Sequence, residues 1–174
     1  EEGHEAQDLV LKMVAHDPRH RPSAAEVLTH PYFWDPNKRL NFLQDASDRF
    51  EIMDKDPPTP ALVLLESKAR NVLGTDWHRR CDKMFLENLG KFRKYDPASV
   101  QDLLRAMRNK KHHYQDLPPT LKKILGTLPD GYLNYFTRRF PELFLHVYNT
   151  IVEQPLIRTE PVFREYFHCA EPEH

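Results

Sequence analysis

The sequence predicts an all-α protein. Glycine is scarce, with five among 174 residues, and no long alternating run of Val, Ile and Thr marks a strand. Apolar residues instead recur at spacings of three and four, which is the period of an α-helix. Prolines punctuate these periodic segments, where they start or stop helices. We therefore expect helices joined by short turns that contain proline.

The first part of the chain predicts three helices. The first ends before Asp17-Pro18 and has one apolar stripe, which consists of Leu9, Val10, Met13 and Val14. Pro22-Ser23 starts the second helix, and His30-Pro31 stops it. The third begins near Leu40 and runs to about Met53. These segments are short, as expected for helices that pack in a bundle.

A proline-rich break follows at Asp56–Pro60, and we expect it to form a stiff, extended connector. The next helix has Leu62, Leu65 and Ala69 on one side. A single helix is predicted from Trp77 to Gly90, with three buried residues, Phe85, Leu86 and Leu89.

The last part of the chain predicts one central helix and an apolar region after it. Ser99 is the expected N-cap of the central helix, and Asp102, three residues later, would complete a capping box. The apolar face of this helix consists of Val100, Leu103, Leu104 and Met107. Tyr132–Val152 predicts one or two helices broken at Pro141.

Charge is unevenly distributed along a chain of formal net charge −1. The segment from Lys91 to Lys123 contains nine Lys or Arg residues against three Asp. Such a segment is either a solvated helix face or a local site for an anionic partner. No apolar run approaches the roughly 20 residues that span a bilayer, and no signal peptide is visible. The chain has no initiator methionine, so we expect a soluble piece of a longer protein.

Cysteines and histidines give no credible metal site. Cys81 and Cys169 are the two cysteines, and they form neither a metal-spaced pair nor a disulfide framework, which favours a reducing compartment. His112 and His113 are adjacent, so they point about 100° apart on a helix and cannot easily bind one ion. We therefore expect no metal ion.

The densest group of chemically active side chains is the run Arg108–Tyr114, which contains Arg, Asn, two Lys and two His. Histidine exchanges protons near neutral pH, and the cations neutralise phosphate charge. Arg105, Asn109 and His113 are spaced i, i+4 and i+8, so we expect them to line one exposed face of the central helix. Arg108 and His112 would form a second row beside them.

The opening segment resembles the last subdomain of a protein kinase C-terminal lobe. The resemblance rests on Asp17-Pro18-Arg19-His20-Arg21-Pro22-Ser23-Ala24 and on Leu28-Thr29-His30-Pro31-Tyr32-Phe33. The chain has no glycine-rich phosphate loop, Val-Ala-Ile-Lys, His-Arg-Asp or Asp-Phe-Gly motif. We therefore interpret residues 1–34 as a kinase-lobe remnant that cannot phosphorylate, and ATP and magnesium would belong to kinase parts outside this chain.

Residues 35–174 resemble the kinase-extension nuclease domain of the inositol-requiring enzyme family, and more distantly that of ribonuclease L. The motifs that carry this resemblance are Leu43–Arg49, Lys91–Tyr95, Asp102–Tyr114 and Tyr135–Pro141. The resemblance implies a metal-independent endoribonuclease that acts on RNA stem-loops as a dimer or higher oligomer, without a cofactor of its own. It further implies a role in the unfolded protein response, through mRNA splicing and decay, at the cytosolic face of the endoplasmic reticulum membrane.

By the same resemblance, the catalytic residues are His113 and Tyr95, and Arg108 and Asn109 contact the phosphate. We assign Tyr95 as the base and His113 as the acid, and the sequence leaves the reverse assignment open. We expect five further cations to bind RNA: Arg105, Lys110, Lys111, Arg93 and Lys94. A straight helix from Ser99 to His113 spans about 21 Å, and Tyr95 precedes it. The two can meet only if residues 95–98 fold back along the helix or the helix starts late.

Two other functions are compatible with the sequence. The domain could be a non-catalytic dimerisation or docking module of a serine/threonine kinase, with its basic stretch against an acidic protein surface. It could also bind RNA without cleaving it. The feature that favours the nuclease is Tyr95 together with Arg108-Asn109 and His113, because a docking module needs none of these residues.

Overall fold

A computed structural model describes residues 3–90 and 93–168, so Lys91 and Cys169 lie outside the described residues. The described part is all-α, as predicted: it has no strand, and its only β-type pairing is an isolated bridge between Lys55 and Pro58. The α-helices, numbered along the chain, are α1 Gly3–Met13, α2 Ala24–Leu28, α3 Pro36–Glu51, α4 Pro60–Ser67, α5 Ala69–Leu73, α6 Lys83–Gly90, α7 Val100–His112, α8 Pro119–Leu125, α9 Asp130–Thr137, α10 Leu143–Val152, α11 Pro155–Arg158 and α12 Pro161–Phe167. The 3₁₀ helices are Pro18–His20, Pro31–Phe33, Trp77–Arg80 and Tyr114–Asp116. Among these helices none combines the length and the apolar character that crossing a membrane requires.

Local sequence signals set most of the helix starts. Ser23 caps α2 in a capping box with Glu26, as the Pro22-Ser23 signal predicts. The Asp56–Pro60 segment is not the expected extended connector. The backbone instead forms a turn in which the Thr59 N–H donates to the Asp54 carbonyl at 3.1 Å. The Thr59 side chain is the N-cap of α4.

The predicted helix from Trp77 to Gly90 is in fact a 3₁₀ helix followed by α6. The reason is tertiary: the Trp77 backbone N–H donates to Pro97 O at 2.9 Å, and its indole N–H donates to Asp96 O at 3.0 Å. Trp77 is thereby fixed to the loop before α7. Phe85 and Leu89 are buried as predicted, whereas Leu86 is half-buried.

α1 does not bury its predicted apolar stripe. Leu9 is buried, but Val10, Met13 and Val14 are exposed. Besides Leu9, polar groups of α1 contact the rest of the molecule: Asp8 pairs with His30 at 2.9 Å and Glu5 with Arg39 at 3.6 Å.

The core is built around α7, which packs mainly against α3 and also against α4 and α5. An aromatic cluster joins the start of α3 to α10 and α12, with Phe42 completely buried between Trp34, Phe144 and Phe163. Truncation of a buried Phe to Ala typically costs about 3–5 kcal/mol, so this cluster contributes substantially to the packing of α10 and α12 against α3.

Candidate active site

A cavity of about 350 Å³ opens at the C-terminal half of α7. Its walls come from α6, the loop before α7, α7 itself and the 3₁₀ helix after α7. The lining residues are Asn88, Leu89, Arg93, Tyr95, Asn109, Lys110, His113, Asp116 and Leu117. Three of the four predicted catalytic residues, Tyr95, Asn109 and His113, therefore share one cavity.

The loop before α7 folds back along the helix, and this brings Tyr95 into the cavity. The Asp96 N–H donates to the Asp102 carboxylate at 2.6 Å, which fixes the loop beside the first turn of α7. The Tyr95 hydroxyl then reaches Asn109, whose Nδ2 donates to it at 2.9 Å. The sequence allowed either a fold-back of residues 95–98 or a late helix start, and the structure has the fold-back.

The ring of Tyr95 lies between an aromatic and a cationic neighbour. Its centroid is 6.4 Å from that of Trp77, in an edge-on arrangement, and the Arg105 guanidinium lies 5.7 Å from it. Tyr95 is thereby held between Trp77 and Arg105, with its hydroxyl on Asn109.

His113 is the C-cap of α7 rather than a residue within the helix. Its side chain is 74% exposed, and Nδ1 lies 3.7 Å from the Asp116 carboxylate. His112, which is also exposed, is not among the cavity-lining residues.

Arg108 does not line the cavity; its guanidinium is turned toward α3. Nη1 donates to Asp48 Oδ1 at 2.8 Å, and Nη2 and Nε donate to Asn109 Oδ1 at 3.3 and 3.4 Å. The expected row of Arg108 and His112 on the exposed surface is therefore wrong for Arg108, whose side chain is 12% exposed.

The five predicted RNA-binding cations lie in different environments. Arg93 and Lys94 are exposed, and Arg93 lines the cavity. Arg105 was expected on the exposed face, but it is largely buried in ion pairs with Glu51 at 2.7 Å and Asp102 at 2.6 Å.

Neither lysine of the basic run extends freely from the surface. Lys110 lines the cavity but is 6% exposed, and it donates to the side chain and backbone of Asn88. Lys111 donates to Asn41 and Gln44 of α3, and burial lowers its pKa. Other helices pack against α7 on more than its apolar face. The long aliphatic parts of these lysines are therefore buried, although a helical pattern counts lysine as a polar, surface residue.

Three residues of the site have no counterpart in the sequence prediction: Asp48, Asn88 and Asp116. Asp116 follows His113 by three residues, a spacing that could have indicated a pair. Asn88 and Asp48 are 22 and 60 residues from their partners in α7, so no local pattern predicts them. Within residues 3–90 and 93–168, no group of three or more His, Cys, Asp or Glu side chains is arranged to hold a metal ion.

Comparison with known proteins places these residues in a family. The model of the ribonuclease 2-5A family matches residues 39–167, which include the whole cavity. The chain belongs to the ribonuclease 2-5A family. The resemblance inferred from the motifs is thereby confirmed.

Relatives in fungi and plants are similar to nearly the whole chain. The sensor for unfolded proteins in the ER ire1 of Schizosaccharomyces pombe is 45% identical over 161 residues, which is 92% of this chain and 15% of the relative. The serine/threonine-protein kinase/endoribonuclease IRE1a of Arabidopsis thaliana is 43% identical, over 95% of this chain and 19% of its own length. The IRE1 kinase/endoribonuclease of Hypocrea jecorina is 46% identical, over 96% and 13%. The chain thus spans less than a fifth of the length of these relatives.

Proposed function

We propose that the chain is a metal-independent endoribonuclease that uses the 2′-hydroxyl of RNA as its nucleophile. The observation that carries this proposal is the meeting of Tyr95, Asn109 and His113 in one cavity of a ribonuclease 2-5A family member. Relatives that carry endoribonuclease in their names support it.

The reaction needs one base and one acid. Tyr95, as a phenolate, takes the proton of the 2′-hydroxyl, whose oxygen attacks the phosphorus. The bond from phosphorus to the 5′-oxygen breaks, and a protonated His113 gives its proton to that oxygen. The products are a 2′,3′-cyclic phosphate and a 5′-hydroxyl end. Each of the two groups has a polar partner in the cavity: Asn109 Nδ2 donates to the Tyr95 hydroxyl at 2.9 Å, and the Asp116 carboxylate lies 3.7 Å from His113 Nδ1.

Charge on the phosphate is balanced by cations around the cavity. Arg93 and Lys110 line it, and Lys94 extends the exposed positive surface. Asn109 lines the cavity, where it would contact the phosphate. Arg108 lies outside the cavity and donates a hydrogen bond to the Asn109 side chain. Arg105 contacts the ring of Tyr95 and helps to position it. Lys111 hydrogen-bonds to α3 and does not contact RNA.

The substrate we propose is a stem-loop of mRNA, cleaved for splicing or decay during endoplasmic-reticulum stress. The support is the name of the fission-yeast relative, a sensor for unfolded proteins in the ER. In that setting the domain would face the cytosol. Residues 1–34 would be the end of a kinase lobe, and ATP and magnesium would bind only in kinase parts outside this chain.

A single cavity of this size is a small platform for a folded RNA, so we propose that two copies hold one stem-loop. Specific activity should then rise steeply as the protein is concentrated and fall with added salt. Flat specific activity over a hundredfold concentration range, with a monomer in sedimentation, would contradict the dimer.

The test uses a labelled RNA stem-loop in excess chelator. We expect cleavage to a 2′,3′-cyclic phosphate, loss of cleavage in His113→Ala, and a milder effect of the matched variant His112→Ala, since His112 is outside the cavity. A strict magnesium requirement, or equal losses in both variants, would overturn the mechanism. Binding without cleavage by the unmodified chain would favour RNA binding alone, and neither binding nor cleavage would favour the docking module.

A further inference from the structure

A continuous chain of polar contacts runs from the surface of α3 to the Tyr95 hydroxyl. It begins at Asp48, passes through Arg108 and Asn109, and ends on the phenolic oxygen at contacts of 2.8, 3.3 and 2.9 Å. We propose that Asp48 is a positioning residue for the nuclease reaction: it holds Arg108 so that Asn109 keeps its N–H donor on Tyr95. This inference rests on the proposed function, because it names Tyr95 as the reacting group.

The first step of the argument is the orientation of the Asn109 amide. A guanidinium has only N–H donors, so the atom of Asn109 that faces Arg108 must be the carbonyl oxygen. The NH₂ group then faces the other way, where it donates to Tyr95 at 2.9 Å. If Arg108 moved away, the amide could rotate by 180°, and its oxygen would accept a hydrogen bond from the Tyr95 hydroxyl instead.

The second step is what keeps Arg108 in place. Its backbone belongs to α7, but its guanidinium crosses to α3, where Asp48 accepts from Nη1 at 2.8 Å. The Arg108 side chain is 12% exposed and that of Asp48 is 51% exposed. An ion pair this close to solvent contributes little to folding stability. The main effect of the Asp48–Arg108 pair is to hold the long Arg108 side chain in one orientation.

The third step is the consequence for the base. With Asn109 donating to its oxygen, Tyr95 has a lone pair occupied from one side, and its remaining hydrogen-bonding capacity points into the cavity. A fixed donor holds this oxygen in one orientation, and its other lone pairs remain to accept from the 2′-hydroxyl of the RNA. A rotated amide would instead accept a hydrogen bond from the Tyr95 O–H, and the N–H donor that orients the phenolic oxygen would be lost.

The experiment measures RNA cleavage and Tyr95 itself in the same set of variants. The variants are Asp48→Ala, Asp48→Glu, Arg108→Ala and the double variant, and the matched control is Asp54→Ala, whose side chain is exposed just beyond α3. We expect Asp48→Ala to lower kcat about 10- to 100-fold with KM changed less than about threefold, since small misplacements of reacting groups have effects of this size. Asp48→Glu should recover part of the loss, and Asp54→Ala should match the unmodified chain.

The double variant distinguishes positioning through Arg108 from an independent effect. If Asp48 acts only by holding Arg108, its removal adds less than about twofold once Arg108 is already Ala. Multiplying losses, or kcat within about twofold of normal in Asp48→Ala, would overturn the proposal.

A spectroscopic readout separates this proposal from the proposed nuclease function. In protein labelled with ¹³C at the tyrosine ζ carbon, the Tyr95 signal is assigned by its loss in Tyr95→Phe. It should move in the same direction in Asp48→Ala and Arg108→Ala and stay unchanged in Asp54→Ala. A moving signal without any RNA cleavage would uphold the positioning and refute the nuclease, and a stationary signal would refute the positioning even in an active enzyme.

Discussion

Glu66 of α4 caps the first turn of α7 from outside that helix. Oε1 of Glu66 accepts from Ser99 Oγ at 2.8 Å and from Gln101 N at 2.9 Å, and Oε2 accepts from Val100 N at 2.9 Å. The carboxylate thus satisfies N–H groups that have no partner within the helix and places a negative charge at its positive end.

We predict that Glu66→Gln destabilises the fold substantially although it keeps the shape of the side chain. One terminal atom becomes an NH₂ group, which cannot accept from a backbone N–H. The loss of one charge-assisted hydrogen bond, together with the charge at the helix end, costs roughly 2–4 kcal/mol of the free energy of unfolding. For a chain of this size that is a fall in Tm of about 4–16 °C.

The assay is urea unfolding followed by circular dichroism, with thermal unfolding as a second measurement. The matched control is Glu87→Gln on α6, whose side chain is 63% exposed and pairs only with Lys83 at 3.6 Å. The control should stay within about 0.5 kcal/mol of the unmodified chain. A Glu66→Gln variant as stable as the control would refute the idea that this carboxylate anchors α7.

Two further predictions concern titratable groups away from the cavity. Burial lowers the pKa of His30 below its usual 6.5 although the Asp8 hydrogen bond opposes this, so the unfolded chain takes up the proton first as pH falls. The free energy of unfolding should therefore decline as pH falls through about 6.5 and level off below the folded-state pKa. Urea unfolding at several pH values should show a shallower decline in His30→Asn, a variant that keeps a capping acceptor. Parallel pH curves for the two proteins would contradict the assignment to His30. Burial raises the pKa of the Cys81 thiol to about 12, so iodoacetamide at about pH 8 should label Cys81 at least about a hundredfold more slowly in the folded chain than in urea. Peptide mapping gives the two rates, and equal rates would show that the thiol is accessible.

Local patterns were reliable where one helix could be considered alone. Ser23 and Ser99 cap the helices that they were expected to start, and the break at Pro141 separates α9 from α10. The placement of Asn109 and His113 toward one side of α7 also follows from spacing, because both line the cavity. These features depend on residues within a few positions of one another, which is what periodicity reports.

The same patterns failed where a neighbouring helix decided the outcome. Asp102 was expected to complete a capping box with Ser99, but its carboxylate accepts from Asp96 N instead. Ser99 still caps the helix, and Glu66, 33 residues before it, accepts from the N–H groups of Val100 and Gln101. Arg105 and Lys110 were expected at the surface and are enclosed by ion pairs and hydrogen bonds.

The sequence by itself determined that the chain is helical, that it belongs to the ribonuclease 2-5A family, and which side chains could perform acid–base chemistry. Only the tertiary structure decided that Tyr95 hydrogen-bonds to Asn109 and that Asp48 pairs with Arg108. The physical reason is that a helical period fixes only which residues share a face. The packing of α3, α4 and α6 around α7 decides which part of that face is buried, which cations are neutralised, and where the cavity remains open.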